Sequence, residues 1–388
     1  MDPSARRSPK PPTGLRLLLV TCAITFVFAN VTNAQRPPIV PSVDLTKHSV
    51  PLEAIYFDTF QRTNRAVPLA VAPQALIERL RDAIPPLHRP KYESPSTASW
   101  LSDNDMVIGY AAAGEAWAYP IRILNYHEIV NDTLAGEPLV VAYCPLCGSG
   151  VVFSRRLQDR LLTFGNTSAL YESDMVMLDY ETGSYWWHVA GKAIVGTLTD
   201  THLSLLPAMT TTWGQWRRMH TNTKVLSQET GYRRPYGRDP FVGYPQILNR
   251  GRFAFPVSNA AKDGRLPPGT SVLAVKMGDD ARAYALDRAG PATIMDVVGG
   301  QRLVVLIDAQ GISGAIFEPV AGTQKLTFQT ENGEYVDRET GSAWNLGGKA
   351  IEGALKGTQL PPLPSKRSFW FAVVAAEPTI TVYSAAAD

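Results

Sequence analysis

An internal repeat constrains the fold of this chain more than any other feature. Because three pairs of segments match in the same order and at a near-constant offset, we interpret the sequence as two tandem copies of one domain. The matching pairs are "VIGYAAAGEAWAYPI" from Val107 with "VLAVKMGDDARAYAL" from Val272, "GEPLVVAYCPLCGSGVVF" from Gly136 with "GQRLVVLIDAQGISGAIF" from Gly300, and "DYETGSYWWHVAGKAIVGTL" from Asp179 with "DRETGSAWNLGGKAIEGAL" from Asp337.

The repeat divides the chain into five parts. We place the first copy at residues 99–228 and the second copy at 271–388. A connector rich in Gly, Pro, Arg and Tyr separates them at 229–270, as is typical of loops. An N-terminal Pro-rich arm precedes the first copy at 35–98, and residues 1–34 are predicted to be a signal peptide.

Within each copy, short apolar runs alternate with turn residues, which predicts strands. The fold class is therefore mainly β, with two β-barrel or sandwich-like domains, the Pro-rich arm and few short helices. Pro73–Ile84 is the clearest helix candidate because its apolar residues share one face. The predicted strands of the first copy are 107–111, 116–121, 139–143, 151–154, 161–164, 185–188 and 193–198.

The first 34 residues have the pattern of a secretory signal. Four basic residues precede an apolar run at 17–29, and Thr32-Asn33-Ala34 is suited to cleavage before Gln35. A periplasmic or secreted protein is predicted, with an uncleaved membrane anchor as the alternative. Cleavage removes four basic residues and one acid, so the formal net charge falls from +2 to −1. The mature chain has no basic cluster, which argues against nucleic acid as a partner.

Comparing the two copies separates residues of the fold from residues of the function. Glu-Thr-Gly-Ser occurs in both, at 181–184 and 339–342, and a turn that needs glycine explains it. Cys144 and Cys147 occur only in the first copy, where Asp308 and Gly311 are their counterparts in the second. The second copy is therefore interpreted as a degenerate partner that supports the first.

Four motifs of the chain resemble one bacterial family. They are "YPIRILNYHEIVND", "AYCPLCGSGVVFSR", "SDMVMLDYETGSYWW" and "HTNTKVLSQETGYRRPY", at 119–132, 142–155, 173–187 and 220–236. Together they resemble the family named domain of unknown function 3179, over about residues 100–385. The resemblance implies no activity, because none is established for that family. His188 stands where the family pattern has Gln, so its role in a site is left open.

Cys144-Pro-Leu-Cys147-Gly can serve three kinds of chemistry. A thioredoxin-like redox pair needs its first cysteine at a helix N-terminus, where the pKa is lowered, but a strand-like run follows Cys147. A disulfide closing so short a loop would stabilise the protein only weakly. Two thiolates in a tight turn between strands can instead face one metal ion, with backbone N–H groups near the sulfurs. We favour this third interpretation.

Two cysteines need further ligands to hold a metal. His127 is the preferred third ligand because it lies in a motif found only in the first copy, and His220 is a weaker fourth candidate. Zinc or copper suits such a Cys/His set better than magnesium or calcium. Supporting contacts outside the ligand shell are predicted from the following residues: Asn125, Glu128, Asp132 and Ser149.

The sequence leaves three functions open. The leading hypothesis is an exported metalloprotein with its site in the first copy, which either binds the metal or uses it for redox chemistry. The second is a metal-free thiol–disulfide oxidoreductase or thiol sensor that uses Cys144 and Cys147. The third is a binding or scaffold protein with a structural Cys144–Cys147 bridge. Neither a small-molecule or protein partner nor a reaction is specified by the sequence, and no stable membrane span is expected after signal removal.

Overall fold

The computed structural model describes residues 40–286 and 292–384. The predicted signal peptide at 1–34 lies outside these residues. Within the described ranges, no helix combines the length and the apolar character needed to cross a membrane. Strands greatly outnumber helices, and no helix exceeds seven residues in the same ranges. The prediction of a mainly β fold with few short helices is confirmed.

The N-terminal arm contributes strands to the sheets of the first copy. Its helix is shorter than the predicted Pro73–Ile84, because the backbone leaves helical geometry at Arg81 and Asp82 then adopts a φ of 54°. The Asp82 N–H instead donates to the Asn166 carbonyl, at 2.7 Å. The elements are β1 (Ile55–Asp58), β2 (Ala66–Pro68), α1 (Gln74–Leu80), β3 (Leu87–His88) and β4 (Tyr92–Glu93), with 3-10 turns at Leu52–Ala54 and Leu69–Val71.

The first copy is built of thirteen strands and two helices. Its predicted strands match observed ones to within a few residues, and the sequence did not predict β7, β10, β13, β16, β17 or most of β12. The elements are β5 (Met106–Ala112), β6 (Glu115–Pro120), α2 (Ile121–His127), β7 (Ile129–Leu134), β8 (Glu137–Cys144), β9 (Ser149–Ser154), β10 (Arg156–Leu157), β11 (Arg160–Leu161), β12 (Phe164–Tyr171), β13 (Asp174–Asp179), β14 (Tyr185–Trp187), β15 (Lys192–Val195), β16 (Met209–Thr212), α3 (Trp213–Met219) and β17 (Lys224–Leu226).

The connector holds one short helix, α4 (Tyr244–Leu248), and a 3-10 turn at Ala260–Lys262. The second copy follows with a similar series of elements. They are β18 (Ser271–Met277), β19 (Asp280–Ala285), β20 (Ala292–Val298), β21 (Gln301–Ile307), β22 (Gly314–Phe317), β23 (Val320–Ala321), β24 (Gln324–Lys325), β25 (Phe328–Glu331), β26 (Glu334–Asp337), β27 (Ala343–Trp344), β28 (Ser365–Phe369), α5 (Trp370–Ala376) and β29 (Thr381–Val382).

Strand pairing in the first copy recurs in the second. The antiparallel sets β5·β6, β7·β8·β9 and β12·β13·β14 correspond to β18·β19, β20·β21·β22 and β25·β26·β27. Late in each copy, β16 pairs antiparallel with β5 and β17 pairs parallel with β6, just as β28 pairs with β18 and β29 with β19. The order of elements and their pairing therefore repeat along the chain, while the domain boundaries stay a prediction.

The two copies are joined through one sheet and through shared apolar clusters. An eight-stranded sheet has the order β29-β19-β18-β28-β9-β8-β7-β3, so β28 of the second copy lies beside β9 of the first. Cys144 and Cys147 belong to one buried cluster with Phe369 and Ala372. All seven sheets of the described ranges are open, which is consistent with a sandwich-like arrangement. The N–H of Phe369, the residue before the last helix of the second copy, donates to the Cys147 carbonyl at 2.8 Å, so the start of this helix lies beside the cysteine turn of the first copy.

Candidate metal centre

The β8–β9 hairpin positions the two cysteines. Cys144 ends β8 and pairs with Ser149, the first residue of β9. Gly148 in the turn has a φ of 59°, and a Cβ at this position would lie 2.7 Å from the Phe369 ring, so only glycine fits. Both cysteines are free thiols, and their exposed fractions are 1% for Cys144 and 0% for Cys147. The turn therefore holds two reduced sulfurs in the protein interior.

Asp174, at the start of β13, completes a group of three donor residues. The Cys147 Sγ–H donates to Asp174 Oδ1 at 2.9 Å. One ligand atom from each of Cys144, Cys147 and Asp174 lies within 4.8 Å of the other two, and all three residues are buried. His188 Nδ1 donates to Asp174 Oδ1 at 3.0 Å, and the Val189 N–H donates to Oδ2 at 2.8 Å. The carboxylate is thus held in place by His188 and by backbone.

Burial sets the protonation of these groups. Desolvation raises the pKa of Cys144 and raises the pKa of Cys147 well above its usual range, so both thiols keep their protons at neutral pH. Burial also opposes the charge of Asp174. The His188 ring and the hydrogen bonds to the carboxylate outweigh this effect and hold the pKa of Asp174 below its ordinary value. The group therefore contains one anion and two thiols that a metal ion can deprotonate.

Glu128 approaches this group from the start of β7. Its backbone has a φ of 58° and a ψ of −33°, a strained combination for a residue other than glycine. Asn166 Nδ2 donates to Glu128 Oε2 at 2.6 Å. Burial raises the pKa of Glu128 to about 8, and the negative charge of Asp174 acts in the same direction. Glu128 is therefore mostly protonated at neutral pH, and only its ionised form, at higher pH, would raise the pKa of Cys144.

The two predicted histidine ligands are not in this group. His127 is fully buried, and both ring nitrogens have partners: Nδ1 donates to the Pro85 carbonyl at 2.8 Å, and Nε2 lies 2.6 Å from the Tyr236 hydroxyl. His220 follows α3, where its ring centroid lies 4.2 Å from that of Trp216. His127 therefore has a structural role, because it joins the arm to the connector. His220 packs against Trp216 of α3.

The predicted supporting residues lie in several environments. Asn125 Nδ2 donates to Asp239 of the connector at 3.2 Å. Asp132 accepts from the hydroxyls of Tyr92 and Tyr119 and has no contact with the cysteines. Ser149 is opposite Cys144, and its buried Oγ has no hydrogen-bond partner among the described residues. Of the four predicted supporting residues, only Glu128 and Ser149 lie near the group formed by Cys144, Cys147 and Asp174.

Sequence reasoning missed Asp174, although a signal for it exists. Strands β12 and β13 span 164–179, whereas β25 and β26 span only 328–337, so the hairpin of the first copy is six residues longer. Asp174 lies in this extension, as does the irregular register that follows Asn166. An insertion confined to the cysteine-containing copy points to residues added for its site. His188, left open by the sequence, lies beside Asp174.

Two sulfur atoms and one carboxylate oxygen form a donor set that suits a borderline or soft divalent ion. The fold and this group define a mainly β protein with a buried Cys–Cys–Asp cluster. The family described as "Protein of unknown function (DUF3179)" has a model that matches residues 81–380, and the chain belongs to this family. No curated protein and no solved structure matches the chain.

Proposed function

We propose that this protein binds one zinc or copper ion through Cys144, Cys147 and Asp174. The observation that carries the proposal is the convergence of these three buried side chains, with one ligand atom of each within 4.8 Å of the others. Metal binding would release the thiol protons, and the bound cation would compensate the buried negative charges, which are costly when they are unpaired. Asp174 takes the place that the sequence had given to His127. Thiolate sulfur favours zinc and copper over magnesium and calcium.

One basic side chain, Lys366, interacts with the cluster and in its charged form favours the ionised, metal-bound state. Two thiolates and one carboxylate carry three negative charges, which exceed those of a divalent ion by one. Lys366 of β28 is bonded through Nζ to the Val189 carbonyl, at 2.7 Å. Burial lowers the pKa of Lys366, while the charges of Asp174 and Cys147 act in the opposite direction. The protonated form of Lys366 would offset the surplus negative charge of the loaded site.

A metal-free redox pair is the second candidate. One observation favours it: the two sulfurs are close together, three residues apart and free. Disulfide formation would oxidise both thiols and would need a disulfide or quinone as electron acceptor. The raised pKa of both thiols counts against it, because the thiolate is the reactive form. For this reason we rank metal binding first.

We also propose that the protein is exported and acts in the periplasm or outside the cell. Support comes from the basic residues, the apolar run and Thr32-Asn33-Ala34 in the first 34 residues. Intact-mass measurement of protein recovered from the periplasm should give a chain that begins at Gln35. Full-length chain in the membrane fraction would instead show an uncleaved anchor.

Metal analysis of untagged protein tests the main proposal. Reduced protein dialysed against zinc should retain one ion per chain, and the Cys147→Ser variant should retain none. Thr182→Ala is a matched control, because Thr182 lies in the turn shared by both copies and bonds Asp179 rather than the cluster. If reduced wild-type protein retains neither zinc nor copper and forms a reversible Cys144–Cys147 disulfide, the redox candidate replaces the metal site.

A further inference from the structure

The second copy shows what fills the position next to the cysteine turn when the cysteines are absent. Asp308 and Ser313 take the places of Cys144 and Ser149 in the corresponding hairpin. Gln215 of α3 bridges these two residues: its Nε2 donates to Asp308 Oδ2 at 2.7 Å, and its Oε1 accepts from Ser313 Oγ at 3.0 Å. A side chain from the last helix of the first copy therefore satisfies the turn of the second.

Helices α3 and α5 correspond residue by residue. The N–H of Trp213 donates to the Asp105 carbonyl, and the N–H of Trp370 donates to the Thr270 carbonyl. The residues that end the two helices have nearly identical backbone angles, with φ of −134° in both and ψ of 76° and 77°. By this register, the counterpart of Gln215 in α5 is Ala372. Ala372 packs in the same buried cluster as Cys144 and Cys147.

Ala372 has a methyl group where Gln215 has an amide, so Ser149 lacks the bridging partner that Ser313 has. Ser149 is 0% exposed, and no described residue bonds its Oγ, whereas Ser313 bonds Gln215. Cys147, which replaces a glycine of the second copy, directs its Sγ–H to Asp174 and so does not satisfy the serine. Buried hydroxyl groups are normally hydrogen-bonded, and an exception needs an explanation, such as a bound water or ion.

We infer that the position bounded by Cys144, Ser149 and Ala372 receives a small Lewis base that completes the metal coordination. This inference rests on the proposed function. Three protein ligands leave one position of a tetrahedral ion for an outside donor, as in zinc sites that bind water or substrate. The Ser149 hydroxyl donates a hydrogen bond to that donor, which is hydroxide or a small anion. The site is then one of ligand exchange, in contrast to the closed arrangement of the second copy.

Azide binding to cobalt-loaded protein tests this inference. Cobalt(II) in place of zinc gives visible absorption that reports coordination, and azide is a small anionic donor that accepts hydrogen bonds. Azide should change the spectrum of the wild-type protein in a saturable manner. Ala372→Gln should abolish this change while cobalt stays bound, because the new amide would bond Ser149 as Gln215 bonds Ser313. Ser149→Ala should weaken azide binding about tenfold, the typical effect of one lost hydrogen bond to an anion.

Gln215→Ala is the matched control, since it removes the amide from the second copy and should leave azide binding unchanged. If Ala372→Gln does not fold, Ser149→Ala decides the matter alone. Bound cobalt whose spectrum does not respond to azide would overturn the inference and leave the metal site standing, and so would unchanged azide affinity in Ser149→Ala. Failure of cobalt to bind at all would overturn the metal site, and the inference with it.

Discussion

The two copies share the hydrogen bonds that stabilise their Glu-Thr-Gly-Ser turns. They differ in the side chains that could bind a ligand. Trp186 Nε1 donates to Asp179 at 2.8 Å in the first copy, and Trp344 Nε1 donates to Asp337 at 2.9 Å in the second. The turn glycines have φ values of 71° and 67°. Such agreement in detail shows that the shared Glu-Thr-Gly-Ser sequence belongs to the fold. Residues found in one copy alone are therefore the ones to examine for function.

The corresponding hairpin turns differ in how their polar groups are satisfied. In the second copy, Asp308 accepts from the N–H groups of Ile312 and Ser313, at 2.8 and 3.0 Å, and from Gln215. Its carboxylate is thus fully used by protein donors. In the first copy, the thiol of Cys144 faces Cys147 and Asp174 instead. The same hairpin turn can therefore have its polar groups satisfied by protein hydrogen bonds or leave them available to bind an ion. Two or three side chains decide which of these occurs.

The largest expected effect is loss of metal from the first copy. Cys147→Ser should weaken zinc binding by more than about a hundredfold, because removal of a ligand costs more than loss of a supporting contact. Isothermal titration with zinc measures this change. Ser313→Ala in the second copy is the control and should have no effect. Equal zinc affinity in the wild-type and Cys147→Ser proteins would contradict the claim that the cysteine turn of the first copy binds metal.

Replacement of the shared turn aspartates should damage both copies alike. Asp179→Ala and Asp337→Ala each remove the acceptor of a buried tryptophan N–H and of a turn N–H. We expect each to lower the free energy of unfolding by about 4 kcal/mol, since hydrogen bonds to a charged group are among the stronger ones. Urea denaturation measures both. A large loss in one variant beside a negligible loss in the other would show that the turns are not equivalent.

Acid should destabilise the protein through His127. Burial lowers the pKa of His127 from 6.5 to about 4 in the folded protein, so the folded state binds fewer protons than the unfolded state between these values. Stability is therefore present above pH 6.5 and is lost as the pH falls towards 4, by at most about 3 kcal/mol. The pH dependence of urea denaturation should be flatter in His127→Gln over this range. An unchanged profile would contradict the neutral, structural role of His127.

His188 should have the smallest of these effects on the metal site. It orients Asp174 through a hydrogen bond and is not one of the three donor residues. His188→Ala should therefore weaken zinc binding by about ten- to a hundredfold, as is usual for residues that position a ligand. His202→Ala, outside the cluster, serves as the control. Complete loss of zinc in His188→Ala would instead assign His188 as a ligand.

Much of the fold could be predicted from the sequence because local patterns determine it. The tandem match located equivalent strands, and short apolar runs between turn residues located β5, β6, β8 and β9. The sequence did not predict most of β12 because its register shifts between Asn166 and Ala169, which breaks the period of two. It did not predict β13, which is buried along its whole length and so lacks the alternation of a half-buried strand. Helix α1 ended early because Asp82 bonds a distant strand, and no local pattern records such a contact.

The candidate site could be predicted only in part. Cys144 and Cys147 follow from spacing and from their absence in the second copy, but Asp174 lies 27 residues beyond Cys147 and contacts it from a strand of another sheet. The sequence favours His127 because its motif occurs only in the first copy and lies near the cysteine pair. The two ring nitrogens of His127 are hydrogen-bonded to the Pro85 carbonyl and the Tyr236 hydroxyl, which belong to the arm and the connector. Ligands that meet through long-range contacts need the tertiary structure.

X-ray absorption spectroscopy of the zinc-loaded protein tests the central claim most directly. The account predicts two sulfur ligands at about 2.3 Å and oxygen or nitrogen ligands at about 2.0–2.2 Å, from Asp174 and the outside donor. Asp174→Asn should reduce zinc occupancy and keep two sulfurs around the ion that remains. A spectrum with only nitrogen and oxygen neighbours would contradict the claim, because it would place the zinc away from Cys144 and Cys147.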